Sequence, residues 1–275
     1  MSDSFPHTYD DIDWARLRKN ALDAKGWQDK NAEQWDAKAT SFAKRNKSST
    51  YIDLFLARLP LQPSMTVLDI GSGPGTLALP IAKRVKHIFA VDFSTEMLKI
   101  LDGLATEQHI DNITTTQCAW EDDWTEKSIL PQDIVIASRS MGVKNLEAAL
   151  YKLHTFAKKY VFLSDRIGET PFDVGAFKAV NRPFSAGPDY IYTLNTLYTM
   201  GIHANVTILE LEQEIKYESM DEAVASFRWM FNDISSKELD ALGRYIESII
   251  VQRDDKHITI RKNSPPRWAL IWWKK

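Results

Sequence analysis

Between residues 66 and 165 the chain alternates short apolar runs with stretches of helical periodicity. The runs fall at 66–70, 87–92, 113–118, 133–138 and 160–165, the third rich in β-branched Thr rather than apolar, and each has the length of a strand. Helices are predicted after the first run through about Val85, over 95–108, and near 145–157. Strands alternating with helices predict an α/β fold built on a doubly wound, mostly parallel sheet. Ahead of it, Trp14, Leu17 and Ala21, then Trp35, Ala39 and Phe42, recur at helical spacing within 10–45. Tyr51, Ile52, Phe55 and Leu59 continue that pattern over 48–59, until Leu61-Gln62-Pro63-Ser64 breaks it. Residues 1–60 therefore read as a helical extension and 61–275 as the α/β domain.

The carboxyl-terminal part is less regular. Residues 166–188 are rich in Gly and Pro and predict loops. A helix is predicted near 189–200, ending at Gly201. Asn205 to Tyr217 alternates apolar and polar positions as one long strand would. Two amphipathic helices, about 220–231 and 236–250, precede the apolar runs at 257–261 and 268–273.

The first run ends in Asp69-Ile70-Gly71-Ser72-Gly73-Pro74-Gly75-Thr76. This is a glycine-rich turn between a strand and a helix. The second run ends in Asp92, about 20 residues after the turn, the spacing of one strand–helix–strand unit with an acid for a ribose. In a dinucleotide fingerprint the third glycine lies one residue later, where this chain has Thr76. NAD or FAD is thus the competing ligand rather than the leading one.

The order Asp-x-Gly-x-Gly-x-Gly resembles motif I of the class I S-adenosylmethionine (SAM) dependent methyltransferases, and Asp92-Phe93-Ser94-x-x-Met97 resembles their next motif. The resemblance spans residues from about 50 to 165. It implies a seven-stranded Rossmann-like sheet whose sixth and seventh strands form an edge hairpin, strand seven antiparallel. The helices at 220–250 would then be an insertion in that hairpin. It also implies SAM as cofactor and S-adenosylhomocysteine (SAH) as product. The backbone at Gly71, Ser72, Gly73 and Gly75 would approach the methionine part, with Asp69 before it. Asp92 would hold the ribose hydroxyls, and an acceptor-only carboxylate suits such a diol. The amino-terminal helices would act as a lid, with 166–250 as an elaboration on the substrate side.

Ligands of an open α/β sheet sit at the carboxyl ends of the strands, which nominates further residues. Phe93 and Met97 can cover one face of the adenine, and Trp120 or the backbone near Ala119 the other; Trp120 as a packed surface aromatic is the alternative. The family's acid for the exocyclic amine is displaced here, leaving Glu121, Asp122 or the backbone alone to serve. Ser94 can cap the helix that follows, and Ser138 ends the fourth run. Arg139 and Arg166, after the fourth and fifth runs, suggest an anionic acceptor, although either could instead pair with Asp165, Glu169 or the SAM carboxylate. Tyr9 and Trp14 are aromatic candidates for the acceptor pocket. His154 and His203 read as structural. No catalytic residue is nominated, since methyl transfer from a sulfonium needs mainly alignment and exclusion of water. The Asn/Asp-Pro-Pro-Tyr/Phe motif of amino-methylating family members is replaced by Ser138-Arg139-Ser140-Met141, which argues against methylation of exocyclic amines in DNA.

Composition narrows the function. The chain has 275 residues, 44% of them apolar, enough for a sizeable core. A formal net charge of -3 gives no basic footprint for a nucleic acid. The single cysteine, Cys118, excludes an intramolecular disulfide and a cysteine-rich metal site, and no metal is expected. The amino terminus shows no apolar signal segment, and no run reaches the roughly 18 apolar residues of a membrane helix. The expectation is a cytoplasmic SAM-dependent methyltransferase acting on a small molecule. The alternatives are an RNA methyltransferase and a SAM-binding protein without turnover.

Overall fold

The computed structural model describes residues 8–25, 31–45 and 49–275. The helix predicted over 10–45 is a set of short elements. A 3-10 turn at Tyr9–Asp11 is followed by α1 (Trp14–Ala24), α2 (Ala32–Asp36) and α3 (Ala39–Arg45). The parts of the predicted helices at 26–30 and 46–48, and residues 1–7 of the extension, lie outside the described residues. Each start has a local cause. Asp13 accepts from Arg16 N at α1, and Asn31 with Gln34 forms a capping box at α2. Helix α4 (Thr50–Leu56), capped by Ser49, buries Tyr51 and Phe55.

The central alternation follows the apolar runs closely. It comprises β1 (Thr66–Ile70), α5 (Ala78–Ala82), β2 (His87–Asp92), α6 (Thr95–Glu107), β3 (Ile113–Gln117), β4 (Gln132–Ser138), α7 (Leu146–Phe156) and β5 (Ala157–Arg166). Helix α5 is shorter than predicted: Arg84 N already donates to Ile81 O, so the last turn tightens and closes before Val85. Then come α8 (Val174–Ala179), α9 (Tyr190–Thr199), β6 (Asn205–Glu210), β7 (Glu214–Tyr217), α10 (Met220–Arg228), α11 (Ser236–Ser248), β8 (Ile250–Arg253), β9 (Ile258–Arg261) and β10 (Arg267–Lys274).

The main sheet has seven strands in the order β3-β2-β1-β4-β5-β10-β6, and β3, β2, β1, β4 and β5 pair in parallel. The order reverses between β1 and β4, the switch point at which such sheets bind ligands. Val67, Leu68, Ile88, Ile134, Ile136 and Val161 are almost fully buried, as strands covered on both faces require.

The chain divides into two compact units. One contains 1–165, 188–209 and 269–275; the other contains 166–187 and 210–268. The amino-terminal helices belong to the same unit as the sheet, and 188–209 leaves the 166–250 segment to join them. Within this unit α2 and α3 pack on α6, and α1 packs on α9. Arg18 of α1 is buried and donates to Met141 O (2.8 Å) and Val143 O (2.7 Å) in the loop after β4.

The second unit holds a three-stranded sheet, β7-β9-β8, that the sequence pattern did not predict. The expected single strand over Asn205–Tyr217 is two strands in two sheets: β6 joins the edge of the main sheet, while β7 pairs antiparallel with β9. Alternation continues across the break because both halves have one buried face, so periodicity carries no sign of the change of partner. Residue 250, predicted as the end of a helix, starts β8, and α8 lies in the segment predicted as loop. Ala176, Phe227, Leu242, Ile246 and Ile260 form this unit's own core. Among the described residues no helix is long and apolar enough to cross a membrane.

Replacing Arg18 with Ala strips two buried carbonyls of their donor. The expected cost is about 2–4 kcal/mol of unfolding free energy. Urea unfolding checks it, and a loss below about 1 kcal/mol would show that water replaces both bonds.

Candidate functional site

A cavity of about 570 Å³ opens at the carboxyl ends of β1, β2, β3 and β4. The turn after β1 forms its floor. Gly71 N (2.8 Å) and Ser72 N (3.0 Å) both donate to Val91 O, folding the turn back over β2. Gly73 and Gly75 have φ of +54° and +83°, which a side chain resists. Their surroundings differ. A Cβ on Gly75 would collide with Leu101, whereas one on Gly73 would meet nothing closer than Phe42 Cε1 at 3.9 Å. Gly75 thus serves helix packing, and Gly73 leaves its space to the cavity. A Cβ on Gly71 would strike the Ser140 side chain, whose Oγ donates to Ile70 O.

Asp92 organises the far side of the turn. Its Oδ2 accepts from Gly73 N (2.8 Å) and its Oδ1 from Ser94 N (2.9 Å). Burial raises its carboxyl above the ordinary range, while the N–H groups of Ser94, Gly73 and Phe93 pull it back down. Ser94 caps α6 through Met97 N and donates to Asp36 of α2, which also accepts from Glu96 N.

Asp69 is 2% exposed, and its Oδ2 has no hydrogen-bond partner among the described residues; the same holds for Ser72 Oγ. Burial first, then the neighbouring Asp92 charge, pushes the Asp69 carboxyl up to about 8.

The turn after β3 supplies the next side of the wall. Cys118, Ala119, Trp120 and Glu121 line the cavity. Asp122 does not: its carboxylate accepts from Ala119 N (2.9 Å) and shapes the turn. Glu121 is therefore the acid that faces the cavity. Trp120 Nε1 donates to Ser140 O (3.2 Å), and its ring lies 5.6 Å from that of buried Trp124, so it is both a packed aromatic and a wall residue. Burial pushes the Cys118 thiol up to about 11, which keeps it protonated.

At the end of β4, Ser138 pairs in register with Ser164 of β5. Fully buried Tyr51 joins them, its Oη within 2.7 Å of Ser138 Oγ and 2.6 Å of Ser164 Oγ. Arg139 has φ of 55°, donates its N–H to Ser164 Oγ (2.9 Å), and sets its guanidinium 4.4 Å from the Tyr51 ring centroid. Burial draws the Arg139 guanidinium below its ordinary value, opposed by the Tyr51 phenol.

The structure brings Asp69, Gly71, Ser72, Gly73, Asp92, Phe93, Met97, Ala119, Trp120, Glu121, Ser138 and Arg139 to one wall. It does not bring Gly75 or Ser94, which are packing and capping residues. Nor does it bring Tyr9 and Trp14. Tyr9 donates to Asn195 Oδ1 (2.9 Å) and meets Tyr198 edge-on, while Trp14 packs near Tyr192. Arg166 also stands outside this wall; it belongs to the second unit and donates to Ala186 O. Ser140, which the strand-end rule also nominates, and Trp35 line the wall too, whereas Phe42, Val143 and Lys144 are wall residues that the sequence did not nominate. Trp35 and Phe42 were visible as a helical apolar stripe, a signal that a core residue and a pocket residue share.

The methyltransferase domain family matches residues 61–197 of the chain. A putative methyltransferase of Bacillus halodurans has the same fold, with a TM-score of 0.55 at 16% identity over 82% of this chain and 98% of that one. The chain belongs to the class I SAM-dependent methyltransferases. An uncharacterised protein of Haemophilus influenzae is 34% identical over 267 residues, 96% of this chain and 97% of the relative. A probable ribosomal RNA small subunit methyltransferase A of Methanosphaera stadtmanae is 32% identical over 74 residues, 25% of this chain and 27% of the relative.

The raised Asp69 carboxyl has a consequence for stability. The folded state keeps its proton up to about pH 8, whereas the unfolded chain loses it near its ordinary value of 3.8. The stabilisation is full below the lower value and is lost as pH rises through the upper one. The stability of the protein relative to Asp69→Asn should therefore fall by up to about 1.4 kcal/mol per pH unit between these limits and level off above them. Unfolding of both proteins from pH 4 to 9 measures it, and a flat difference would place the proton elsewhere.

Proposed function

We propose that the protein transfers the methyl group of SAM to a small-molecule acceptor. The observation that carries this reading is the pair of buried, unpartnered atoms Asp69 Oδ2 and Ser72 Oγ, set in the same wall as Asp92 and the open space at Gly73. A buried acceptor without a donor is costly, and an ammonium-bearing ligand would satisfy Asp69. Asp92 suits a ribose, since each oxygen already accepts one backbone N–H and keeps a second lone pair for a hydroxyl. Phe93, Met97 and Trp120 offer flat apolar contact for a purine, and Glu121 is the acid at that side.

When bound, SAM would supply an activated methyl group on a neutral leaving sulfur. The chain's own part is to hold, align and dry the site. Trp35 and Phe42 place rings in the wall, and such rings exclude water and strengthen the polar contacts behind them. A general base is needed only if the acceptor must lose a proton first. The net charge of -3 gives no basic footprint and favours a small acceptor over RNA, the competing reading suggested by the short match to a ribosomal RNA enzyme.

Calorimetry with SAH tests the cofactor reading. Asp92→Ala should fold and lose about 1.5–3 kcal/mol of SAH binding, the range for hydrogen bonds to a charged group. Unchanged affinity would remove Asp92 from the ribose. Gly73→Val should abolish binding, because the side chain fills the space the ligand needs and resists the left-handed backbone. A Gly73→Val protein still protected from thermal unfolding by excess SAH would contradict the role given to this turn.

A further inference from the structure

Resting on the methyl-transfer reading, we infer that the acceptor carries an anionic group, a carboxylate or a phosphate, on an apolar body, and that Arg139 receives the anion with Lys144 beside it. The charges in the wall are sorted by strand. Asp92 and Glu121 follow β2 and β3, whereas Arg139 and Lys144 follow β4, on the other side of β1. A nucleoside held on the acid side leaves the β4 side to the second reactant. A planar guanidinium takes a carboxylate or phosphate through two parallel hydrogen bonds, which orients the bound molecule as well as holding it.

Arg139 is held at two points, its backbone and its guanidinium, and the ring under the guanidinium is itself anchored. Its N–H is tied to Ser164 Oγ, its guanidinium lies on the Tyr51 ring, and Tyr51 Oη is anchored between Ser138 and Ser164. Its backbone sits in the left-handed region, which a non-glycine residue resists and which persists only where the surroundings impose it. Arg18 in turn grips the carbonyls of Met141 and Val143, so the loop bearing Lys144 is fixed on the same side. Trp35, Phe42 and Val143 in the wall supply apolar surface for the body of the acceptor.

The test uses the full-length protein, methyl-labelled SAM and the ultrafiltered small-molecule fraction, free of RNA, of a deproteinised cell extract of the source organism. The extract is first split on an anion exchanger into flow-through and salt eluate. Transfer is expected with the eluate and not with the flow-through. Alkaline phosphatase treatment of the eluate then separates the sources: acceptance is lost for a phosphate monoester and kept for a carboxylate. Arg139→Gln should raise the amount of eluate needed for half-maximal transfer by about ten- to a hundredfold, while its SAH affinity by calorimetry stays within about threefold. Lys144→Gln, at an exposed position, should shift the eluate requirement in the same direction by about threefold.

Transfer confined to the flow-through overturns the inference. So does an Arg139→Gln protein with the wild-type eluate requirement. Loss of SAH affinity by more than about tenfold in Arg139→Gln would place the guanidinium on the cofactor's own carboxylate and overturn it as well. Transfer from neither fraction with SAH binding intact removes the methyl-transfer reading itself, and this inference with it.

Discussion

The carboxylate of Asp92 joins the parts that make this site. One oxygen holds Gly73 N and the other holds Ser94 N, so a single side chain fixes both the glycine turn after β1 and the start of α6. The neighbouring Val91 carbonyl takes the N–H groups of Gly71 and Ser72. Three donors of the glycine turn and one at the start of α6 are thereby satisfied by the last two residues of β2. Without them the turn has no reason to hold a left-handed backbone at Gly73 and leave open space above it.

The amino-terminal helices are tied to this turn and to the β4 side by polar contacts rather than by apolar packing alone. Asp36 reaches Ser94 and Glu96 at the start of α6, Arg18 reaches the loop after β4, and Tyr51 bridges Ser138 and Ser164. Each contact is directional, and each ends on a residue within or beside the cavity wall. A polar bond formed in a water-poor site is strong when made and costly when broken. The extension is therefore part of the compact unit that carries the sheet.

Asp69 has a different role from Asp92 although both end up buried. Asp92 spends its charge on backbone donors, while Asp69 has one oxygen with no partner among the described residues and holds its proton to about pH 8. Two carboxylates in one low-dielectric wall would repel if both ionised, and the donors are distributed so that one of them stays neutral. The second unit has its own core around Phe227, Leu242 and Ile260 and its own small sheet.

The alternation of strands and helices, the glycine turn and the acid at the end of β2 are all legible in the order of residues. Those features are local: strand length, apolar periodicity and spacing of a few residues decide them. The sequence also carried the family. Only the tertiary structure decided which aromatic residues face the cavity and which pack elsewhere. Trp35 and Trp14 both sit on short helices at helical spacing, yet Trp35 lines the wall and Trp14 lies in the cluster with Tyr9 and Tyr192. That Lys144 and not Arg166 lines the cavity with Arg139, and that 205–217 is split between two sheets, were decided the same way. The reason is physical. Periodicity says that a face is buried, and the chain's long-range contacts alone say against what.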